Sequence, residues 1–327
     1  MIQTRYDLVI LAGGTGCISL PGRQPEPRAL APLRGRRLLS YLVRAAAASG
    51  RIRRVLVVTH PDKAAAFRAA VPSFRFYGRD TGADGTDGAL AAVERAEAGG
   101  TEFRAAPAPA SPAPLPLYLT VCAGTMGEGG WTGVRLARFL RREEEGTPPA
   151  EPLRVVTAME DIPFLTGEAL ADFIDRAEPL EADGVYSLVR KEACRKEFPA
   201  LRRTYFHLTE GNFTGGNLAL IRDRVFPACL PRMAEVYALR KDIPRLAGWL
   251  GLSMIVKFLF RRLSLADVER KASRTFGLTG RCVLMEYACI GTDLDRGEDW
   301  PAAEAYAEAY AARRGDEKNC PAGNSVL

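Results

Sequence analysis

Histidine is nearly absent: His60 and His207 are the only two in 327 residues. Neither has a second ligand at metal-binding spacing, so both read as structural and a histidine-based metal centre is not expected. Cysteine occurs seven times, at 17, 122, 194, 229, 282, 289 and 320, an odd number with no CxxC pair. That usage argues against a zinc site or a disulfide framework and points to reduced thiols and a cytoplasmic setting. There is no GxSxG element and no Gly-Lys-Ser/Thr P-loop, which removes elbow-type hydrolysis and P-loop chemistry. No apolar run is long enough to span a bilayer; the longest candidate, Trp249 to Phe260, contains Lys257. The first residues enter a strand-like pattern without signal-peptide architecture. Lysine is scarce too, at seven of the 45 Lys+Arg, a bias that reflects base composition rather than guanidinium chemistry. The net charge of +6 is mild for this length and calls for no nucleic-acid partner.

What the chain does have is a globular composition, 47% apolar and 26% charged, at a length that suits one large domain or two coupled ones. Asp7 to Ala12 is a short apolar run closed by Gly13-Gly14, the pattern of a buried strand. A Gly- and Pro-rich loop follows, then a helical pattern from about Arg36 to Ser49. Val55 to Thr59 is a second strand stopped by His60-Pro61, and Thr86 to Ala98 is an Ala-rich helix. This alternation predicts a parallel sheet with helices on its faces. The pattern then breaks at the Pro-rich stretch 105–116. Leu117 to Val121 is strand-like, Gly124 to Gly133 reads as a flexible loop, and Val134 to Arg142 is helix-like. Residues of about 100–151 therefore read as an insertion, because Leu153 to Thr157 resumes the buried-strand pattern. A helix over Thr166 to Ala177 comes next, with strands over Gly184 to Val189, Arg203 to Leu208, Asn217 to Ile221 and Cys282 to Met285. A helical block over about 223–273, a terminal helix over Pro301 to Arg314 and a frayed tail, 315–327, complete the chain.

Four stretches carry chemistry. Leu11-Ala-Gly-Gly-Thr-Gly16 lies where the first strand becomes a loop, and its glycines let backbone N–H groups approach phosphate oxygens. A plain tight turn explains the same residues. In Glu26-Pro-Arg-Ala-Leu30, Arg28 is positioned to neutralise phosphate charge or to remain solvated. The apolar strand Val155 to Met159 delivers Asp161 to its carboxyl end, where ligands bind in open α/β sheets; Ile162-Pro163 then turns the chain and Thr166 caps the next helix. A carboxylate there suits Mg²⁺, which takes one or two carboxylates plus substrate phosphates. Helix capping is the structural alternative. After the last strand, Asp293 and Asp295 offer further carboxylates, while Glu298-Asp299 open the terminal helix as dipole complements.

Taken in order, these stretches resemble the MobA-like NTP-transferase family. That family has an LAGGxGxR…PKxL loop at its first strand, a (G/A)DxP(F/L)(L/I)T segment at its central metal strand and a (D/N)xDTPEDL segment near its end. Leu11 to Gly16, Arg28-Ala-Leu30, Asp161-Ile-Pro-Phe-Leu-Thr166 and Asp293 to Asp299 match in sequence order. Asn212-Phe-Thr-Gly-Gly-Asn217 resembles the family's Asn/Gly turn on the acceptor side. Arg28 stands where the family has lysine, and the loop arginine has no clear equivalent, with Arg23 a loose match. The resemblance implies one Rossmann-like, GT-A-like three-layer α/β domain with a mostly parallel sheet, carrying the Pro/Gly-rich insertion and the helical block. It also implies a Mg²⁺- (or Mn²⁺-) dependent transfer of an NMP from an NTP to a small phosphorylated acceptor. In that assignment Leu11, Ala12, Gly13, Gly14, Thr15 and Gly16, with Gly85, Thr86 and Asp87, contact the nucleotide. Arg28 and Asp161 are catalytic, and Asp161, Asp293 and Asp295 hold the metal. Arg203, Asn212, Gly216 and Asn217 face the acceptor.

Two other readings fit the same residues. Asp293-Leu-Asp295 is a DxD-like pair that a nucleotide-sugar-dependent glycosyltransferase would use, and the Arg28 departure suits a nucleotide-binding relative without catalysis. Separately, Trp249 to Arg262 is the most apolar helix-like stretch. It reads either as a core or homodimer helix, or as an interfacial helix with Arg261 and Arg262 at headgroup level.

Overall fold

The computed structural model describes residues 4–14, 17–77, 115–146, 152–230, 232 and 251–314. Its strands are β1 (Tyr6–Ala12), β2 (Cys17–Ile18), β3 (Glu26–Pro27), β4 (Pro32–Leu33), β5 (Arg36–Arg37), β6 (Ile52–Thr59), β7 (Arg75–Phe76) and β8 (Leu117–Val121). After these come β9 (Arg154–Met159), β10 (Gly184–Arg190), β11 (Phe206–Leu208), β12 (Gly211–Arg222) and β13 (Gly280–Met285). The helices used below are α1 (Leu38–Ala48), α2 (Pro61–Ala70), α3 (Met126–Glu145), α4 (Gly167–Ala177), α5 (Lys191–Glu197), α6 (Leu252–Leu259), α7 (Leu265–Phe276) and α8 (Trp300–Arg314).

The central sheet runs β13-β10-β12-β9-β1-β6-β8-β7, with β11 paired to β12. All neighbours are parallel except at β12, which is antiparallel to β9, β10 and β11. Alternation along β1 builds the layers: Leu8, Ile10 and Ala12 face one core with α1, α4 and the final segment, and Val9 faces the other against α3. A third, smaller cluster of Leu188, Leu208, Phe213 and Leu263 lies under α6 and α7. This is the mostly parallel three-layer α/β fold the sequence implies.

Four sequence expectations change. Residues 115–146, assigned to an insertion, belong to the fold itself: β8 pairs with β6, and α3 lies across β1, β6 and β8. The supposed flexible loop Gly124 to Gly133 is mostly helix, begun by Thr125, whose side chain and that of Glu128 form a capping box. The glycines permit close packing. A Cβ at Gly133 would lie 2.3 Å from Val9 Cγ1, and one at Gly130 would lie 2.2 Å from a Phe226 ring carbon. The Asn212 to Asn217 turn is likewise not a turn. These residues are strand β12, which bulges where Leu188 pairs with Gly215 and Tyr186 with Ala219. Its glycines fit beneath β10 side chains: a Cβ at Gly216 would meet Ser187 Oγ at 2.1 Å. The actual turn is at 209–210, and Gly211, with φ 135°, opens β12 directly after it. The strand expected over Arg203 to Leu208 starts only at Phe206, because Arg203 is engaged elsewhere.

The helix placed over Thr86 to Ala98, the Pro-rich stretch 105–114 and the tail 315–327 lie outside the described residues, as does most of the first half of the 223–273 block. Among the described residues, no helix is long and apolar enough to cross a membrane.

Candidate active site

β1 and β9 end side by side, with Leu11 opposite Met159. Leu11 and Ala12 close β1, Leu11 partly buried against the α3 side and Ala12 within the core with its carbonyl accepting from Thr59 Oγ1 at 3.2 Å, so Ala12 can serve a ligand only through its backbone. Gly13 and Gly14 then emerge on the rim. Thr15 and Gly16 lie outside the described residues, as do Gly85, Thr86 and Asp87. Across this rim β9 hands the chain to Glu160 and Asp161, both buried. Thr166 caps α4 by accepting from Ala169 N at 3.0 Å, so Asp161 is not needed as the cap.

Asp161, Asp293 and Asp295 converge, each offering one oxygen within 4.8 Å of the others. The backbone holds this convergence: Leu294 N donates to the Asp161 carbonyl at 2.9 Å. Asn217 Nδ2 donates to the Ile290 carbonyl at 3.0 Å, fixing the turn Ala288–Gly291 that leads to Asp293. Arg28 reaches in from the short turn Arg28–Leu30. Its Nη1 donates to Asp161 Oδ2 at 2.5 Å and to Asp295 Oδ1 at 2.9 Å. Arg203 forms an ion pair with Asp293 and also donates to its carbonyl.

The electrostatics are those of crowded acid groups. Burial pushes Asp161 up, against the pull of Arg28. Asp293 is raised to about 7, chiefly by burial, with its hydrogen bond to Asp295 and repulsion from Asp161 adding to it and Arg203 opposing. Glu160 is also raised to about 7, by burial first and by Asp161 next. Arg28, Lys63 and the Ala29 N–H, which donates to Glu160 Oε2 at 3.3 Å, pull it the other way.

The residues fit a hard divalent cation. The donors are all carboxylate oxygens, and Asp161 Oδ1 is buried with no hydrogen-bond partner among the described residues. Three of the four metal-site and catalytic positions expected from sequence are thus together with the fourth, Arg28. The acceptor-side residues are spread differently. Asn217 and Arg203 reach the carboxylate segment, Gly216 packs under Ser187, and Asn212 Oδ1 lies 3.3 Å from His207 Nδ1 in the β11–β12 hairpin.

Two residues here escaped the sequence reading. Lys63, buried on α2, donates from Nζ to the Gly14 carbonyl, supplying a cation beside the glycine loop where the family's arginine is missing. Glu160 links that loop's Ala29 to the metal strand. Its signal was a second acidic residue where the family motif has Gly or Ala.

A family model described as the MobA-like NTP transferase domain matches residues 8–248. The chain belongs to this family, and the fold just described is consistent with it. A solved structure described as a hypothetical transferase from Thermus thermophilus is 31% identical, covering 91% of this chain and 100% of its own, with a TM-score of 0.58. Two structures of 4-diphosphocytidyl-2C-methyl-D-erythritol synthase, one of them from Anaerococcus prevotii, are 12% identical. They cover 94% and 93% of this chain and 100% and 99% of their own, at TM-scores of 0.47 and 0.45. No curated protein matches the chain.

Proposed function

We propose that the protein transfers an NMP from an NTP to a small phosphorylated acceptor and releases pyrophosphate, with Mg²⁺ held by Asp161, Asp293 and Asp295. The observation that carries this reading is the convergence of three carboxylates and Arg28 beside the glycine loop, in a chain of this family. An acceptor phosphate oxygen attacks the α-phosphorus, a new P–O bond forms, and the α–β anhydride breaks to release pyrophosphate. No protein nucleophile is needed; the chain's contribution is placement and charge. Gly13 and Gly14 bring backbone donors to the triphosphate without side-chain obstruction. Arg28 exchanges a carboxylate partner for phosphate oxygens, which its planar fork can bind in pairs. Lys63 holds the loop from beneath, and Arg203 opposes the burial that favours the protonated form of Asp293 and aims its carboxyl at its neighbours. The cation's own contribution is to neutralise phosphate charge.

The test is pyrophosphate release measured with each NTP against a panel of sugar and alcohol phosphates. Activity should vanish with chelator and in Asp161→Ala. Turnover that persists in either condition refutes the reading. A nucleotide sugar consumed as donor would transfer the site to the glycosyltransferase alternative.

A further inference from the structure

Five of the eight large apolar side chains exposed among the described residues lie within nine consecutive positions: Leu252, Val256, Phe258, Leu259 and Phe260. They occupy α6 and its C-terminal turn. Leu252, Val256 and Leu259 recur at helical spacing on one face, and Leu252, Leu259 and Phe260 are each more than 70% exposed. Met254 points the other way and packs against the small cluster with Leu188, Leu208, Phe213 and Leu263, so the helix is anchored while its apolar face is turned outward.

The segment that carries this face holds charge of one sign. Residues 251–263 contain Lys257, Arg261 and Arg262 and no acidic residue. Lys257 is paired with Asp267 at 2.6 Å. Arg261 and Arg262 directly follow the exposed phenylalanines, are themselves exposed, and have no ion-pair partner among the described residues. A second copy of the same face would bring these arginines toward their own images, which opposes pairing between copies. An anionic lipid surface satisfies both features, taking the apolar ridge below the headgroups and the arginines among them.

We propose that α6 and the turn 260–262 form an interfacial anchor that docks this protein on anionic membranes. The anchor is tied to the ligand rim: Leu263 O accepts from Thr209 N at 2.9 Å, and Leu265 N donates to Glu210 at 3.0 Å. Thr209 and Glu210 form the tip of the β11–β12 hairpin, at the end of the sheet where β10 and β13 finish. Docking through α6 therefore brings that end of the sheet close to the headgroup layer. The proposal does not depend on the chemistry assigned to the rim.

Flotation of the full chain with phosphatidylglycerol-containing vesicles, and with phosphatidylcholine vesicles alone, tests it without nucleotide. Binding is expected to the anionic vesicles only, and to weaken as salt rises. Arg261→Glu with Arg262→Glu should lower the partition coefficient by roughly thirtyfold or more, and Leu259→Glu with Phe260→Glu should abolish binding. Circular dichroism establishes that each variant is folded. If the Leu259/Phe260 variant does not fold, the arginine variant and a Phe258→Trp reporter decide, the reporter shifting to the blue on anionic vesicles only. NTP turnover with a water-soluble acceptor should be unchanged in the folded variants. Absence of binding to anionic vesicles at low salt, or equal binding to both compositions, overturns the proposal. So does self-association that the same substitutions remove in a chain that ignores vesicles.

Discussion

Arg28 sits where a divalent cation is proposed to bind, and this makes Arg28→Ala informative about the site. The substitution removes a charge-assisted hydrogen bond to Asp161, which is 2% exposed, and leaves that carboxylate facing Asp293 and Asp295 without the guanidinium that joined it to Asp295. Such a bond to a charged group contributes about 1.5–3 kcal/mol. The second contact, to the half-exposed Asp295, adds at most a few tenths. With an unfolding entropy of about 2.1 cal/mol/K per residue, a chain of this length loses roughly 1.5 °C of Tm per kcal/mol, so the variant should melt about 2–5 °C lower in the absence of divalent ions. Magnesium should then reverse the deficit. At about a hundred times its Kd, a cation that binds only the folded state adds about 2.7 kcal/mol. In the parent chain Arg28 already neutralises the same oxygens, so the gain there must be smaller. Thermal melts with and without Mg²⁺ at matched ionic strength measure the difference, and Asp161→Asn should erase the magnesium response in both backgrounds. Equal magnesium shifts in parent and Arg28→Ala, or a variant as stable as the parent without the ion, would refute competition between Arg28 and the cation.

Other consequences follow from the same contacts. Gly133→Ala places a Cβ 2.3 Å from Val9 and should destabilise by about 1–3 kcal/mol, whereas Gly129→Ala, with 3.8 Å to Val58, should stabilise by about 0.5–1 kcal/mol; urea unfolding of the two variants should move in opposite directions. Asp183 is held below its ordinary value despite its burial, by the Thr279 N–H at 2.8 Å and by Arg224. Its stabilisation is therefore complete above the unfolded carboxyl's pKa of about 3.9 and lost as pH falls through the lower folded value. Asp183→Asn should cost about 1–3 kcal/mol near neutrality, with a deficit that shrinks below about pH 4 in denaturant titrations. Arg203→Ala should reduce kcat/KM for NTP and acceptor alike, because Arg203 aims Asp293; a change confined to acceptor KM would instead return it to direct acceptor contact.

Much of the site was legible because its signals are local. Asp161 ends an apolar strand and precedes Ile-Pro, and Asp293 and Asp295 follow directly on the last strand. The strand-end rule placed Asp161 at the ligand crevice, and the family resemblance joined Asp293 and Asp295 to it. What failed was the reading of glycine. In Gly124 to Gly133 its abundance outweighed a Thr125-x-x-Glu128 capping box that announces a helix, since close packing against Val9 is invisible along the chain. In Asn212 to Asn217 two adjacent glycines suggested a turn, whereas inside a strand they mark a bulge under bulky neighbours. Lys63 and Glu160 were missed because each acts on a loop distant in sequence.

The bond from Leu294 N to the Asp161 carbonyl also bears on the order in which the protein is made. Strands β1, β6, β8, β9, β10 and β12 are all encoded before residue 223, so most of the sheet can pair while the ribosome is still translating. Asp293 and Asp295 come some seventy residues later and, with Asn217 waiting for the Ile290 carbonyl, complete the carboxylate cluster last. A nascent chain stalled after β12 would carry the glycine loop, Arg28 and Asp161 without two of the three carboxylates, so synthesis itself delays the cluster until well after the strands that frame it.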